Sequence, residues 1–181
     1  MEVQKMKLDK AIACFKAIGL TPKVGSFQDR LVIQKAIYLL QQKGIKMGFG
    51  YGLHVRGPYS PSLTKEIFGN VKKIEKLETS EKLTSVEGKI VEEFNELFSG
   101  LTPSMLEIAA TYSYFTMELH EDPITAQKNV KRIKSFYSAP KIATGVSKAK
   151  EFLFQPTKKE LDELKEETKA WREASLKTIK E

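Results

Sequence analysis

The side chains best suited to binding follow one another in the stretch GLHVRGPYSPSL and the threonine after it. A glycine–proline turn there would place an arginine and a tyrosine beside the first turn of a helix. Such a turn has unpaired backbone N–H groups and partial positive charge, which attract phosphates and carboxylates. The stretch therefore predicts a site for a partner or an anion, formed by Arg56, Tyr59, Ser60, Ser62 and Thr64.

The same residues have a purely structural alternative. Serine followed by proline is a common helix start, because the hydroxyl caps the first turn and proline fits the first helical position. Pro58 and Ser60 would then only begin the helix, and the ring of Tyr59 would fill the core. The sequence leaves both interpretations open.

A second candidate site is a basic segment. The chain of 181 residues has a formal net charge of +7, from 30 basic and 23 acidic residues. Between Pro123 and Lys150 there are seven basic residues and no acid, so the rest of the chain is neutral. Such a segment could bind nucleic acid or an acidic protein, or could simply be a solvated surface. The predicted basic face comprises Lys128, Lys131, Arg132, Lys134, Lys141 and Lys148.

Catalytic and metal-binding patterns are not found in the sequence, which predicts a protein that is not an enzyme and uses no cofactor. The single cysteine, Cys14, falls on an apolar helical face, which indicates a packing role. His54 and His120 are too far apart in sequence for a metal-ligand motif. An enzymatic function would require the fold to bring Arg56, His54 and a distant glutamate together.

Five helices can be predicted from apolar spacing and helix breakers. A first helix ends at Gly19, and a second, from Ser26 to Gly44, has so wide an apolar face that a central position is expected. The helix MLEIAATYSYFTMEL is the most apolar and is also predicted to lie in the core. The basic segment is predicted to form two short helices, broken near Ser138 to Pro140.

The candidate binding stretch itself is predicted to join a strand to a helix. In YGLHVRG, Leu53 and Val55 alternate with polar residues, which predicts a short strand that Pro58 ends. A helix from Ser60 to Phe68 follows. Residues 72–82 are predicted to form a small hairpin, with a charged helical turn as the alternative.

These elements predict a mainly α fold: a winged-helix-like domain over residues 1–155, with a short strand and a small β-hairpin. After Pro156 the composition becomes highly charged, and residues 156–181 are predicted to form an amphipathic C-terminal helix. Its thin apolar stripe would dock on the body of the protein, on a second copy in a homodimer, or on a partner. The stripe consists of Leu161, Leu164 and Trp171.

A winged-helix-like unit also has a nucleic-acid interpretation. The helix 60–68 would enter the major groove, with the hairpin 72–82 beside the phosphates. Both mix lysines with glutamates and are nearly neutral. Nucleic-acid binding would therefore fall to residues 123–150, and it would be independent of sequence and sensitive to salt.

Several stretches resemble a known family. RLVIQKAIYLLQQKGI followed by YGLHVRGPYSPSL is similar to the signature of the Panacea domain, also known from the SocA antitoxin, and more closely to that of the YwgA-like group of bacterial and archaeal proteins. LTSVEGKIVEEF, MLEIAATYSYF and NVKRIKSFYSAPKIATGVSKAKEFL extend the similarity. The Tyr59-Ser60 pair, where the Panacea pattern often has valine, favours the YwgA-like group, as does the lack of its histidine-containing carboxy-terminal segment.

The resemblance implies an α-rich fold with a small hairpin and, for Panacea domains, the work of an antitoxin or adaptor. We therefore expect a protein partner, either a toxin or an acidic protein, with non-specific nucleic-acid binding as the alternative. The longest apolar runs are only a few residues and the amino terminus lacks the apolar core of a signal peptide, so a cytoplasmic protein without membrane contact is expected.

Overall fold

The computed structural model describes residues 2–100 and 102–154. The predicted docking stripe of the C-terminal helix, Leu161, Leu164 and Trp171, lies outside the described residues. Within them the chain forms eight α-helices and one two-stranded antiparallel hairpin, which confirms the mainly α class. The elements are α1 (Glu2–Ile18), α2 (Phe27–Lys43), β1 (Gly52–His54), β2 (Gly57–Tyr59), α3 (Pro61–Gly69), α4 (Val71–Glu75), α5 (Ser85–Phe98), α6 (Pro103–Ser113), a π-helical turn (Tyr114–Glu118) that continues α6, α7 (Pro123–Ile133) and α8 (Ala139–Leu153).

Two helices, α2 and α6, form the centre of the core. Every residue of α2 from Ile33 to Leu40 is buried, as is every residue of α6 from Leu106 to Ser113. A helix that is apolar over most of its circumference must be covered on several sides, so the central positions predicted for both helices are confirmed. α6 contacts α8, α2 and the hairpin, and it thereby joins the basic segment to the candidate binding stretch.

Helix starts follow the predicted capping chemistry. The hydroxyl of Ser26 accepts a hydrogen bond from the Asp29 N–H, and the Asp29 carboxylate accepts one from the Ser26 N–H. The hydroxyl of Ser60 likewise caps α3 by accepting from Leu63 N–H at 3.2 Å, with Pro61 in the first turn. These caps fix where α2 and α3 begin, on either side of the hairpin.

The hairpin lies earlier in the chain than predicted. The expectation that Pro58 ends a single strand was wrong, because Pro58 lies in β2 opposite Leu53. Antiparallel pairs alternate between hydrogen-bonded and non-hydrogen-bonded, and the middle pair of this three-pair ladder needs no N–H from Pro58. Gly57 allows the chain to return after the turn, with a φ of 81°.

Residues 72–82 do not form the predicted hairpin. Val71–Glu75 is the short helix α4, and the chain then turns at Leu77, which has a φ of 52°. The apolar residues of this segment are spaced by three, which places Ile74 in the core, with an exposed fraction of 1%, when the chain is helical. The helical alternative at this segment is therefore the correct one.

The break in the basic segment is where the sequence predicts it. α7 ends at Ile133 and α8 begins at Ala139, with Pro140 in its first turn. Gly145 of α8 packs directly on α6, since a β-carbon there would be 2.7 Å from Cγ2 of Ile108. None of the described helices combines the length and the apolar character needed to cross a bilayer.

Candidate functional site: a cationic pocket beside the hairpin

A pocket of about 440 Å³ lies between α2, the hairpin and α3. This volume is within the range of small-ligand and peptide-side-chain sites. Its apolar wall comes from the start of α2 and the far end of α3. Its polar groups come from α2, the hairpin and the first turns of α3. The lining residues are Phe27, Arg30, Leu31, Gln34, Lys35, His54, Val55, Arg56, Gly57, Tyr59, Thr64, Ile67 and Phe68.

The charged groups of this pocket all have the same sign. Arg30, Lys35 and Arg56 line it, and no aspartate or glutamate does. Around them lie exposed apolar side chains, with exposed fractions of 54% for Phe27 and 57% for Phe68. An apolar surface around cations, in a pocket that no acidic residue lines, is suited to an anionic ligand that also has an apolar part.

Lys35 is the most deeply placed of the three cations. Only 2% of the residue is exposed, and its Nζ donates a hydrogen bond to the carbonyl oxygen of Pro58 at 2.6 Å. Burial lowers the pKa of Lys35 to about 7; the negative charge of Glu107 opposes this shift and the positive charge of Lys134 adds to it. At neutral pH the amine is therefore poised between its charged and uncharged forms.

Lys134 holds the hairpin from the other side. Its Nζ donates to the carbonyl oxygen of Val55 at 2.7 Å and to Oε1 of Glu107 at 2.6 Å, and both charged side chains are fully buried. Burial lowers the pKa of Lys134, and the hydrogen bond and charge of Glu107 offset part of that shift. The pair fixes the turn of the hairpin to α6.

The same carboxylate positions the arginine at the pocket rim. Nη1 of Arg56 lies 3.5 Å from Oε2 of Glu107 and donates to the hydroxyl of Tyr137 at 3.2 Å. The Tyr137 hydroxyl donates in turn to Glu107 Oε2 at 3.2 Å. The guanidinium also lies 5.6 Å from the ring centre of Phe136, and 47% of the Arg56 side chain stays exposed. Arg56 is thus oriented from one side and accessible from the other.

The hairpin approaches α6 so closely that only glycine fits at one position. A β-carbon on Gly57 would be 2.4 Å from Oγ1 of Thr111, which is itself held by a hydrogen bond to the carbonyl oxygen of Glu107. The positive φ of Gly57 also disfavours other residues. This contact and the hydrogen bonds from Lys35 and Lys134 to hairpin carbonyls hold the hairpin, and with it the pocket wall, in one position.

Three of the five predicted binding residues line the pocket, and the other two do not. Arg56, Tyr59 and Thr64 line the pocket, and the ring of Tyr59 packs edge-on against His54 at 5.0 Å between ring centres. Tyr59 is half-buried in the pocket wall and does not fill the core.

The other two are the serines of the helix start, where Ser60 forms the cap and Ser62 is exposed. Ser60 is fully buried, with its hydroxyl on the cap and 3.0 Å from the Ser62 hydroxyl. The side-chain amide of Gln34 pairs with both the N–H and the carbonyl of Ser60, each at 3.0 Å. The first turn of α3 is therefore capped from within, and the cations of α2 and the hairpin give the pocket its charge.

The predicted basic face is smaller than expected. Lys134 does not belong to it, because that side chain is fully buried and paired with Glu107. Lys128, Lys131 and Arg132 are exposed on α7. Lys148 forms an ion pair with Glu151 at 3.3 Å, and Lys141 lies 5.6 Å from the ring centre of Tyr137.

The residues considered for catalysis make different contacts. Arg56 meets Glu107, but His54 packs on Tyr59. Among residues 2–100 and 102–154, no group of three or more histidine, cysteine or acidic side chains could hold a metal ion. Cys14 is fully buried, which confirms its packing role, and burial raises the pKa of its thiol to about 12.

Three residues that shape the pocket were missed in the sequence: Gln34, Lys35 and Glu107. Each is a polar or charged residue inside an otherwise apolar run, IQKAIYLL or MLEIAATY. Such residues are almost never fully buried without a partner, so their position on a predicted core helix was a usable signal of a buried polar cluster.

Comparison of the chain with protein-family models, with curated proteins and with solved structures gives no match. The resemblance to the Panacea and YwgA-like families therefore stays a prediction from the quoted motifs.

Proposed function

We propose that this protein is a non-enzymatic protein-binding domain that holds an acidic segment of a partner protein in the pocket beside the hairpin. The observation that carries the proposal is the basic character of the pocket, which has three basic side chains and no carboxylate among its lining residues. Exposed apolar side chains surround these cations, as is typical of a protein-binding surface. An antitoxin or adaptor is the form of this function that the resemblance to Panacea domains favours.

The shape of the site supports a protein partner. The tip of the hairpin projects into solvent, with 84% of Val55 exposed, and Phe136 beside Arg56 is 58% exposed. These side chains extend the apolar surface of Phe27 and Phe68 beyond the pocket. Large apolar groups around an oriented arginine are the usual composition of an interface hot spot.

Photo-crosslinking in the native host tests this function. Val55 would be replaced by p-benzoylphenylalanine, and the matched control would carry the same group at Val86, which is 69% exposed on α5. We expect position 55 to give one defined protein product that position 86 does not give, joined through an acidic stretch of the partner. Identical products from both positions would contradict the proposal. The antitoxin form further requires that the partner arrests growth when it is expressed alone.

Nucleic-acid binding is the second candidate, supported by the exposed cations of α7. No described carboxylate forms an ion pair with Lys128, Lys131 or Arg132. Reversal of all three to glutamate should abolish any salt-sensitive binding of random duplex DNA. Binding that survives the reversal would remove α7 from consideration, and tight wild-type binding that the reversal abolishes would favour this candidate over the first.

A further inference from the structure

The starting observation is that two buried lysines hold the same hairpin with different sets of partners. Lys134 has a backbone carbonyl and a carboxylate within 2.7 Å. Lys35 is as deeply buried, but the carbonyl of Pro58 is the one hydrogen-bond acceptor that it reaches among the described residues. An ammonium group has three N–H donors, so Lys35 has donors to spare.

Lys35 is one of the residues that line the pocket. A buried ammonium without a counter-ion is strongly disfavoured, and proteins normally pair such a group or let it lose its proton. No lining residue of the pocket can supply the missing negative charge. A carboxylate brought by a ligand would satisfy the free donors and restore the charged form of the amine.

We propose that Lys35 is the carboxylate-binding residue at the base of this pocket, and that it receives an aspartate or glutamate side chain of the partner, next to a large apolar residue. This inference rests on the proposed function and adds the chemistry of the bound segment. The apolar residue would lie against Ile67 and Phe68. Flanking carboxylates would meet Arg30 and Arg56, whose places in the wall favour an acidic segment over a single terminal carboxylate.

Binding of this kind is coupled to protonation of Lys35. The charged and titratable groups that line the pocket with Lys35 are Arg30 on α2 and His54, Arg56 and Tyr59 on the hairpin. The charges of Glu107 on α6 and Lys134 after α7 also act on its amine. Because burial holds the pKa of free Lys35 at about 7, part of the protein has an uncharged amine at neutral pH. A bound carboxylate raises that pKa, so binding takes up a proton and weakens as the pH rises above about 7.

Fluorescence anisotropy with labelled peptides tests the inference. The probe is acetyl-Asp-Glu-Phe-Glu-Asp-amide, and its neutral match is acetyl-Asn-Gln-Phe-Gln-Asn-amide. A third peptide, acetyl-Asn-Gln-Phe with a free terminal carboxylate, distinguishes the end of a chain from acidic side chains. We expect the acidic probe to bind at least about ten-fold more tightly than the other two, the usual effect of a buried charge-assisted hydrogen bond.

The variant that removes the amine is Lys35→Met, and its matched control is Lys46→Met at an exposed lysine. The preference of Lys35→Met for the acidic probe should be about ten-fold smaller than that of the wild type, and its binding should no longer depend on pH. Lys46→Met should keep the wild-type preference and pH dependence. Wild-type protein gives an independent measurement if the variant folds poorly. Calorimetry in two buffers of different ionisation enthalpy should show net proton uptake on binding the acidic probe at about pH 7.5.

Equal binding of the acidic and neutral peptides, binding without proton uptake, or no binding of the acidic probe would each overturn the role of Lys35. Tighter binding of the peptide with the terminal carboxylate would overturn the choice of an internal acidic segment. Crosslinking at Val55 does not depend on the Lys35 amine. Its outcome therefore judges the proposed function separately.

Discussion

Two pairs of lysines in this protein lie in opposite environments. On α7, Lys128 and Lys131 are exposed on a surface that water can solvate fully. Beside the hairpin, Lys35 and Lys134 are buried and donate to backbone carbonyls of the strands or the turn between them. An exposed charge costs little free energy and needs no particular partner, whereas a buried charge must form hydrogen bonds with particular atoms.

This comparison shows which positive charges carry structural information. By number, the basic segment is the most conspicuous feature of the sequence, since it contains the whole net charge. The two buried lysines say more about the structure, because they fix the position of the hairpin and contribute to the charge of the pocket. One of them, Lys134, belongs to the basic segment in sequence and to the hairpin in space.

The largest effect is expected for removal of a buried charge. Lys134→Met leaves the Glu107 carboxylate buried with only Arg56 and Tyr137, and it should lower the free energy of unfolding by about 3–5 kcal/mol. Lys131→Met, three residues earlier on exposed α7, should change it by less than about 0.5 kcal/mol. Denaturation in urea measures both values. Similar losses of unfolding free energy in the two variants would contradict the distinction between buried and exposed lysines.

A glycine exchange gives the next largest effect. Gly57→Ala introduces a β-carbon 2.4 Å from Thr111 Oγ1 at a φ of 81°, and it should cost about 2–4 kcal/mol. Gly88→Ala in α5 meets nothing within 4 Å and should stabilise the protein by about 0.5–1 kcal/mol. Thermal unfolding followed by circular dichroism should therefore shift in opposite directions. A stable Gly57→Ala protein would show that the hairpin is not held against α6.

The smallest of the stability effects is a pH dependence. Folding lowers the pKa of Lys35 from its ordinary value of 10.5 to about 7, so between these values the unfolded chain binds the additional proton. The free energy of unfolding should therefore rise with pH from about 7 to 9 by up to about 1 kcal/mol per pH unit from this group. Lys35→Met should flatten this rise, whereas Lys46→Met should keep it. Parallel curves for the two variants would show that Lys35 is not desolvated.

The helices could be predicted from the sequence because each is specified by local chemistry. Ser26 and Ser60 cap the helices that they were predicted to start, and the wide apolar face of α2 indicated its central place. The hairpin was misplaced for a local reason too. Proline is depleted in strands, but the position of Pro58 needs no N–H donor, and this depends on the register with Leu53.

The pocket could be predicted only in part. Arg56, Tyr59 and Thr64 line one pocket, because the turn and the helix start bring them together locally, and their role in binding stays a prediction. Lys35 comes from α2, and Glu107 and Lys134 come from α6 and the end of α7. These three residues lie close together because helices that are far apart in the sequence pack against one another. No local sequence pattern specifies that packing.

The measurement that tests the central claim most directly is the affinity of Val55→Glu for the partner found by crosslinking. Val55 is 84% exposed at the pocket rim, so a glutamate there leaves the fold intact while it repels an acidic segment. We expect binding to weaken at least about ten-fold in Val55→Glu and to change less than about two-fold in Val86→Glu. Equal affinities of the two variants would contradict the assignment of the pocket beside the hairpin as the partner-binding site.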